Sequence, residues 1–316
     1  MKHLFIVNPI AGGSDHTAEV AARVRAAFAG RNEPWELYRT TAPMDAVSRI
    51  RQETAHGGEL RVYACGGDGT FNECVNGCAR LPQVSVAPFP TGTGNDFCRM
   101  FGDEADTFRD LDALLRGHTV PIDLIDCNGR FSANICSVGI DARVGTSVHK
   151  FSKIPLIGGA TGYVTSLIVN VFKGIATDMH ITAPGFTGDR KFTLVCACNG
   201  RYYGGGFNPS RYARPDDGEL DIFIVEKVNV IKVAQLIGKY ASGRSDEVGR
   251  YIHHVRGREL TIELEREDVV NMDGEAMTAS HIQMRLLPHA LNLLVPDTLH
   301  FFEKSAADKN LVTNCL

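Results

Sequence analysis

The chain has 316 residues, 44% of them hydrophobic and 22% charged, with a formal net charge of −4. That length suits two domains with buried cores, and the balanced composition excludes a disordered chain. With no basic excess, nucleic acid is not an expected partner.

The first 125 residues alternate strand and helix patterns. Leu4–Val7 is strand-like and follows directly on the start, so no signal peptide is expected. Thr17–Phe28 has apolar helical spacing, Trp35–Tyr38 reads as a short strand, and Asp45 to Ala55 as a helix. The buried strand Leu60–Cys65 runs into Gly66-Gly67-Asp68-Gly69-Thr70, which gives way to a helix over Phe71–Cys78. Val84–Phe89 is another strand, and Pro90–Asp96 a second glycine-bearing turn before a short helix over Phe97–Met100. Repeated strand–helix units predict a parallel, doubly wound sheet with its ligand at the carboxyl ends of the strands. Both glycine loops and Asn8-Pro9-Ile10-Ala11-Gly12-Gly13 would share that edge.

Past Pro121 the pattern turns β-rich. Ile122–Cys127 and Arg130–Cys136 flank Asn128-Gly129, a two-residue hairpin signal. Further strand patterns at Thr177–Ala183, Phe192–Asn199, Leu220–Val225, Leu260–Leu264, Val269–Met272 and His281–Leu287 predict a largely antiparallel second domain. Helices are predicted over Gly158–Phe172 and Val230–Ala241. The apolar stretch holding the first of them is broken by Gly158, Gly159, Gly162, Ser166 and Asn170, so no transmembrane segment is expected. The expected domains are 1–125 and 126–295, with 296–316 available to pack back on the first. Nine cysteines form no C-x-x-C pair, which predicts free, buried thiols in a reducing cytoplasm. Cys196 and Cys198 share one strand face and read as core rather than metal ligands.

A strand that breaks into glycines and re-emerges as a helix makes a phosphate site. The glycines let the backbone approach the oxygens, and first-turn N–H groups face the charge. Asp68 would repel bare phosphate. It suits a Mg²⁺-bound nucleotide met through water, or a proton taken from the group being phosphorylated. The plain alternative is a glycine turn ending a strand. There is no G-x-x-x-x-G-K-[ST], no V-A-I-K, no H-R-D, and no lysine between Lys2 and Lys150. A P-loop NTPase and a protein kinase are thereby excluded, and without G-x-G-x-x-G a dinucleotide site is disfavoured.

The motifs Asn8-Pro9-x-Ala11-Gly12-Gly13, Gly66-Gly67-Asp68-Gly69-Thr70-Phe71-Asn72-Glu73 and Pro90-Thr91-Gly92-Thr93-Gly94-Asn95-Asp96-Phe97-Cys98-Arg99 resemble the diacylglycerol kinase catalytic family, in its soluble bacterial lipid-kinase branch. That branch is similar to sphingosine and ceramide kinases. The resemblance continues through Ile122-Asp123-Leu124, Asn134 to Asp141, Pro215 to Asp221 and Met272-Asp273-Gly274-Glu275. Gly-Gly-Asp-Gly-Thr alone is shared with NAD kinases and phosphofructokinases; the later motifs make the distinction.

The resemblance implies an α/β nucleotide domain of the NAD kinase and phosphofructokinase kind, a C-terminal β-sandwich, and transfer of the ATP γ-phosphoryl to a lipid hydroxyl in the interdomain cleft. It places ATP contacts on Asn8, Pro9, Ile10, Ala11, Gly12, Thr40, Gly66, Gly67, Asp68, Gly69, Thr70, Phe71, Asn72 and Thr93. For Thr40 a helix N-cap is an equal reading. It places the proton acceptor on Glu275 with Asp273 in support, and Asp68 stands as the rival base. It implies a structural Mg²⁺ held by the Asp217 side chain and the backbone carbonyls of Arg214 and Glu219, where the plain reading is a hairpin turn. Asp96 and Asp123 would extend an aspartate–water–Mg²⁺ network towards Asp68.

One departure concerns charge. Several relatives carry a basic residue after the first glycine of the opening loop, where this chain reads Gly12-Gly13-Ser14-Asp15; Arg99 is the nearby cation expected instead. The glycine run after Tyr202-Tyr203 would let a lipid chain or a loop approach the backbone. The expected partner is a lipid at a membrane surface, met by a peripheral, cytoplasmic enzyme, and an edge strand offers a surface for a homodimer. A kinase of a soluble hydroxyl compound and a non-catalytic lipid-binding protein are the alternatives.

Overall fold

The computed structural model describes residues 1–55, 57–91, 95–140, 142–143 and 175–303. The predicted helix over Gly158–Phe172 and the tail beyond Glu303 lie outside the described residues. The chain divides into two compact units, one of residues 1–122 and 290–316 and one of 123–289.

In the first unit the strands β1 (Lys2–Val7), β2 (Trp35–Arg39), β3 (Leu60–Gly66) and β4 (Val84–Pro90) form a parallel sheet in the order β2-β1-β3-β4. The end of a much later strand, β13 (Glu275–Val295), adds in parallel beside β4, with Asn292 and Leu293 opposite Ser85 and Val86. Leu4 to Val7, Val62 to Cys65 and Val84 to Phe89 are buried without alternation, as parallel strands covered on both faces require. Helices α1 (Thr17–Ala27), α2 (Asp45–Thr54) and α3 (Asp68–Cys78) supply the cover through Val20 and Val24, Ala46 and Ile50, and Phe71, Cys74 and Val75. Short helices α4 (Asp96–Arg99) and α5 (Leu111–Arg116) follow β4. The strand order reverses between β1 and β3, where open α/β sheets bind their ligands.

His3 sits in this core, 2% exposed, with Nδ1 2.9 Å from the Tyr63 hydroxyl. Burial lowers its pKa to about 4. An unfolded histidine titrates near 6.5, so between the two values the unfolded chain binds the extra proton. Stability present above the upper value is therefore lost as pH falls, by about 3 kcal/mol. The His3→Gln variant is expected to flatten this slope, measured as urea unfolding at several pH values between neutral and the lower limit.

The second unit is an antiparallel β-sandwich. It is built from β5 (His118–Cys127, from Asp123 onward), β6 (Arg130–Ser132), β7 (Ile135–Gly139), β8 (Thr177–Ala183), β9 (Phe186–Cys198), β10 (Leu220–Glu226), β11 (Ile252–Gly257), β12 (Glu259–Met272) and the first part of β13. The pairs run β11-β10-β9-β7-β12-β13, with β8 joining β9 and β12. From Leu194 to Cys198 alternation along β9 splits its side chains between two cores, and a register shift opposite Val225 and Glu226 puts Phe192 with the first. Phe192, Val195 and Ala197 join Val138, Ile222, Ile262 and Ile282. Leu194, Cys196 and Cys198 join Ile140, Phe223 and Tyr240 beside helix α6 (Val230–Ala241). The Cys196 and Cys198 sulfurs lie 3.4 Å apart in that second core, on one strand face.

Candidate active site

The loop after β1 opens with an Asx turn: the Ile10 amide donates to Asn8 Oδ1 at 3.1 Å. A 3-10 turn over Ala11–Gly13 follows, with φ of +69° at Gly12 and +81° at Gly13. The Asn8 amide donates to the Cys65 carbonyl of β3, which ties this loop to the next. After β3 the helix begins at Asp68 rather than Phe71, capped by Gly67, which has no side chain to fill the first-turn N–H groups. A Cβ on Gly66 would lie 2.2 Å from Thr70 Oγ1, so only glycine fits there. Among the described residues Thr70 Oγ1 and Thr91 Oγ1 are buried with no hydrogen-bond partner, and the Thr91 amide donates to Gly66 O at 3.3 Å. Two orphaned hydroxyls beside a helix start that no side chain caps fit a phosphate group.

Thr40 follows β2, and its hydroxyl donates to Val7 O at 3.3 Å. It is not the cap of α2; Met44, at φ +65°, holds that position. The cap is provided from a distance by Glu73 of α3, whose carboxylate accepts the Met44 and Ala46 amides at 2.9 and 3.3 Å. Phe71 and Phe97 pack ring to ring in the core, centroids 4.7 Å apart. Asn72 is buried and accepts from Asn76 Nδ2. Thr93 lies outside the described residues.

Three carboxylates were candidates for proton transfer, and their surroundings separate them. Asp68 accepts the Asp96 and Phe97 amides at 3.0 and 3.4 Å and so caps α4. Asp273 and Gly274 form the two-residue turn between β12 and β13, at φ +51° and +93°. The turn sets its two carboxylates in different surroundings. Asp273 turns inward and accepts from the Ser132 hydroxyl at 2.5 Å and from the Ala133, Asn134 and Ile135 amides at 2.9, 3.2 and 2.8 Å. That gathering of amides also splits the predicted strand Arg130–Cys136 into β6 and β7. Glu275 is exposed, and among the described residues no hydrogen bond or ion pair holds its carboxylate.

The third acidic cluster is laced by arginines. Arg214 makes a fork with Asp216 at 2.9 and 3.1 Å. The Arg256 guanidinium reaches Asp217 Oδ2 at 2.7 Å, Glu219 at 3.1 Å and Asp221 at 3.5 Å, and Arg258 donates to Gly218 O. Burial pushes the Asp217 carboxyl up to about 6, against the Glu219 amide and Arg256. Taken alone that costs stability as pH rises from about 4 to 6, opposite in sign to His3. The Mg²⁺ expected on Asp217 and the carbonyls of Arg214 and Glu219 does not fit: a guanidinium already stands at Asp217, where a second cation would be repelled. Among the described residues no three His, Cys, Asp or Glu side chains are placed to hold a metal. Chelation with EDTA is therefore expected to leave the melting temperature of the protein as purified unchanged, whereas Arg256→Gln lowers it by a few degrees, both read by calorimetry. Asp123, expected in a metal network, is instead wholly buried, and its oxygens accept the Gly218 and His289 amides, both at 2.9 Å. Arg99 pairs with Asp96 at 3.1 Å.

Under α6 the second unit holds an apolar cleft. Ile140, Leu236 and Ile237 line it, with Tyr203, Phe207 and Tyr240. The run Gly204 to Gly206, all at positive φ, folds Phe207 back to bond Tyr203 in both directions at 2.9 Å and sets both rings at the wall.

Residues 2–127 match the family model described as the diacylglycerol kinase catalytic domain, and residues 134–295 match the YegS C-terminal NAD kinase beta sandwich-like domain. The chain belongs to the YegS-like branch of the diacylglycerol kinase catalytic-domain family. A diacylglycerol kinase crystal structure from Bacillus anthracis str. Sterne superposes with a TM-score of 0.67 at 26% identity, covering 94% of this chain and 98% of that one. Another from the same strain, a candidate diacylglycerol kinase, gives 0.71 at 27%, covering 94% and 96%. A Staphylococcus epidermidis relative, named as a candidate lipid kinase, is 26% identical over 74% of this chain and 76% of its own.

In this family member the first unit brings Asn8, Gly12, Thr40, Gly66 to Thr70 and Thr91 to one sheet edge. Thr91 belongs with them through its orphaned hydroxyl, which its place in the motif did not single out. Glu73 and Arg256 act on partners at least 27 and 35 residues away in sequence, so no local spacing announced them.

Proposed function

We propose that the protein is an ATP-dependent lipid kinase in which Glu275 takes the proton of the acceptor hydroxyl. The base assignment rests on the contrast among the three carboxylates: Asp68 and Asp273 are occupied by backbone amides, while Glu275 is exposed and unbonded among the described residues. As the acceptor oxygen bonds to the γ-phosphorus, its proton passes to Glu275 and the bond to the β-phosphate oxygen breaks, releasing ADP. Thr70 and Thr91 would donate their hydroxyls to phosphate oxygens, with the first-turn amides of α3 behind them. Asp68 holds the start of α4 against that edge. Mg²⁺ arriving with the nucleotide would neutralise the charge of its phosphates.

The apolar cleft favours a lipid acceptor over a soluble one, because its wall offers hydrocarbon and almost no polar surface. The test is transfer of labelled γ-phosphate from ATP and Mg²⁺ into an extracted lipid mixture. Label in the organic phase that Glu275→Ala loses supports the reading. Label confined to the aqueous phase overturns the lipid acceptor, and ATP binding without any transfer overturns the enzyme.

A further inference from the structure

Helix α6 carries no acidic residue, and its outward stripe, Ile231, Ala234, Gln235 and Gly238, is exposed and uncharged. Ile231 is 70% exposed at the amino-terminal end, where the Asn229 side chain caps the helix. Cations gather around that end. Lys232 Nζ lies 5.0 Å and Arg250 Cζ 5.2 Å from the centre of the same Tyr251 ring, and Lys227 is exposed just before the helix. Further along, Lys239 and Arg244 meet Glu247, and Arg211 meets Asp246. Lys227, Lys232 and Arg250 meet no carboxylate among the described residues. A chain of net charge −4 thus concentrates unpaired positive charge around one exposed isoleucine.

We infer that this end of α6 is the surface by which the protein seats on an anionic phospholipid bilayer. An apolar side chain ringed by cations and a tyrosine matches the boundary between acyl chains and headgroups: Ile231 enters the apolar side, Lys232 and Arg250 meet headgroup phosphates, and Tyr251 lies at the interface. The opposite face of α6, through Leu236, Ile237 and Tyr240, lines the apolar cleft, so the helix that meets the bilayer also roofs that cleft. The inference rests on the proposed lipid acceptor for its biological sense, but its physical content is tested without nucleotide.

Flotation with vesicles of phosphatidylcholine alone and of phosphatidylcholine mixed with phosphatidylglycerol, in the absence of ATP, reads it directly. The protein is expected to bind the mixed vesicles, to bind less as salt rises, and to lose about 30-fold in partitioning when Lys232→Gln and Arg250→Gln are combined. Ile231→Ser is expected to weaken binding at every salt concentration. The double variant should transfer phosphate normally to a lipid acceptor dispersed in neutral detergent. Equal binding to neutral vesicles, or a double variant that floats like the parent, overturns the surface. Vesicle binding without transfer in detergent overturns the kinase reading and leaves the surface standing.

Discussion

Glu275→Gln is expected to slow phosphoryl transfer by about 10²- to 10⁴-fold while leaving ATP affinity and the unfolding midpoint at their parent values. The side chain is exposed and bonds to none of the described residues, so replacing it by an amide of the same shape removes only the capacity to accept a proton. The effect should fall on kcat, because the proton is lost in the transition state and not on binding. Steady-state kinetics with ATP and a detergent-dispersed lipid acceptor read both parameters, and isothermal calorimetry reads ATP affinity. A parent-like kcat would move the base to Asp68, in spite of the two amides that its carboxylate holds.

Asp273→Ala should have the largest effect on stability, about 3 kcal/mol by urea unfolding. One carboxylate satisfies three backbone amides and a hydroxyl, and each buried donor left without an acceptor costs about 1–3 kcal/mol. Water reaching the partly exposed turn offsets part of that sum. Activity should fall too, because Asp273 and Gly274 set where β13 begins and therefore where Glu275 stands. Asp273→Asn should fall between, since its carbonyl oxygen still accepts while its NH₂ confronts other donors. An Asp273→Ala protein as stable as the parent would show that those donors find other acceptors.

Much of the architecture was legible because it is local. The apolar run Leu60–Cys65 ending in glycines and the Asn128-Gly129 turn state their geometry within a few residues, and both turn where expected. What was illegible depends on distant partners. Phe186 to Lys191 looks too polar for a strand, yet it extends β9 because β8 pairs along its whole length. The charged run Glu265-Arg266-Glu267 suggested two strands where β12 passes through with an irregularity between Glu263 and Asp268. At the site, the sequence pointed to the acidic residues and was silent on which of them the backbone would occupy. Asp68, Asp123 and Asp273 look as available in the sequence as Glu275. Only the fold, by bringing amides from 28, 95 and 140 residues away, ties up three and leaves one.

The strand that begins at Glu275 ends beside β4, and this has a consequence for how the chain is made. The first unit needs residues from both extremes of the sequence: Asn292 and Leu293 complete the sheet at Ser85 and Val86, and Ala290 receives the Arg80 amide. At about 5–20 residues per second of synthesis, a ribosome that has finished β4 needs about 10–40 s more to deliver its neighbour. Throughout that interval one edge of an apolar, parallel sheet has open hydrogen-bonding groups, the arrangement most prone to pairing with another chain. The amino-terminal unit is thus the first to be synthesised and the last to be closed, and its dependence on chaperones should track the delay in translating the β-rich unit between its two parts.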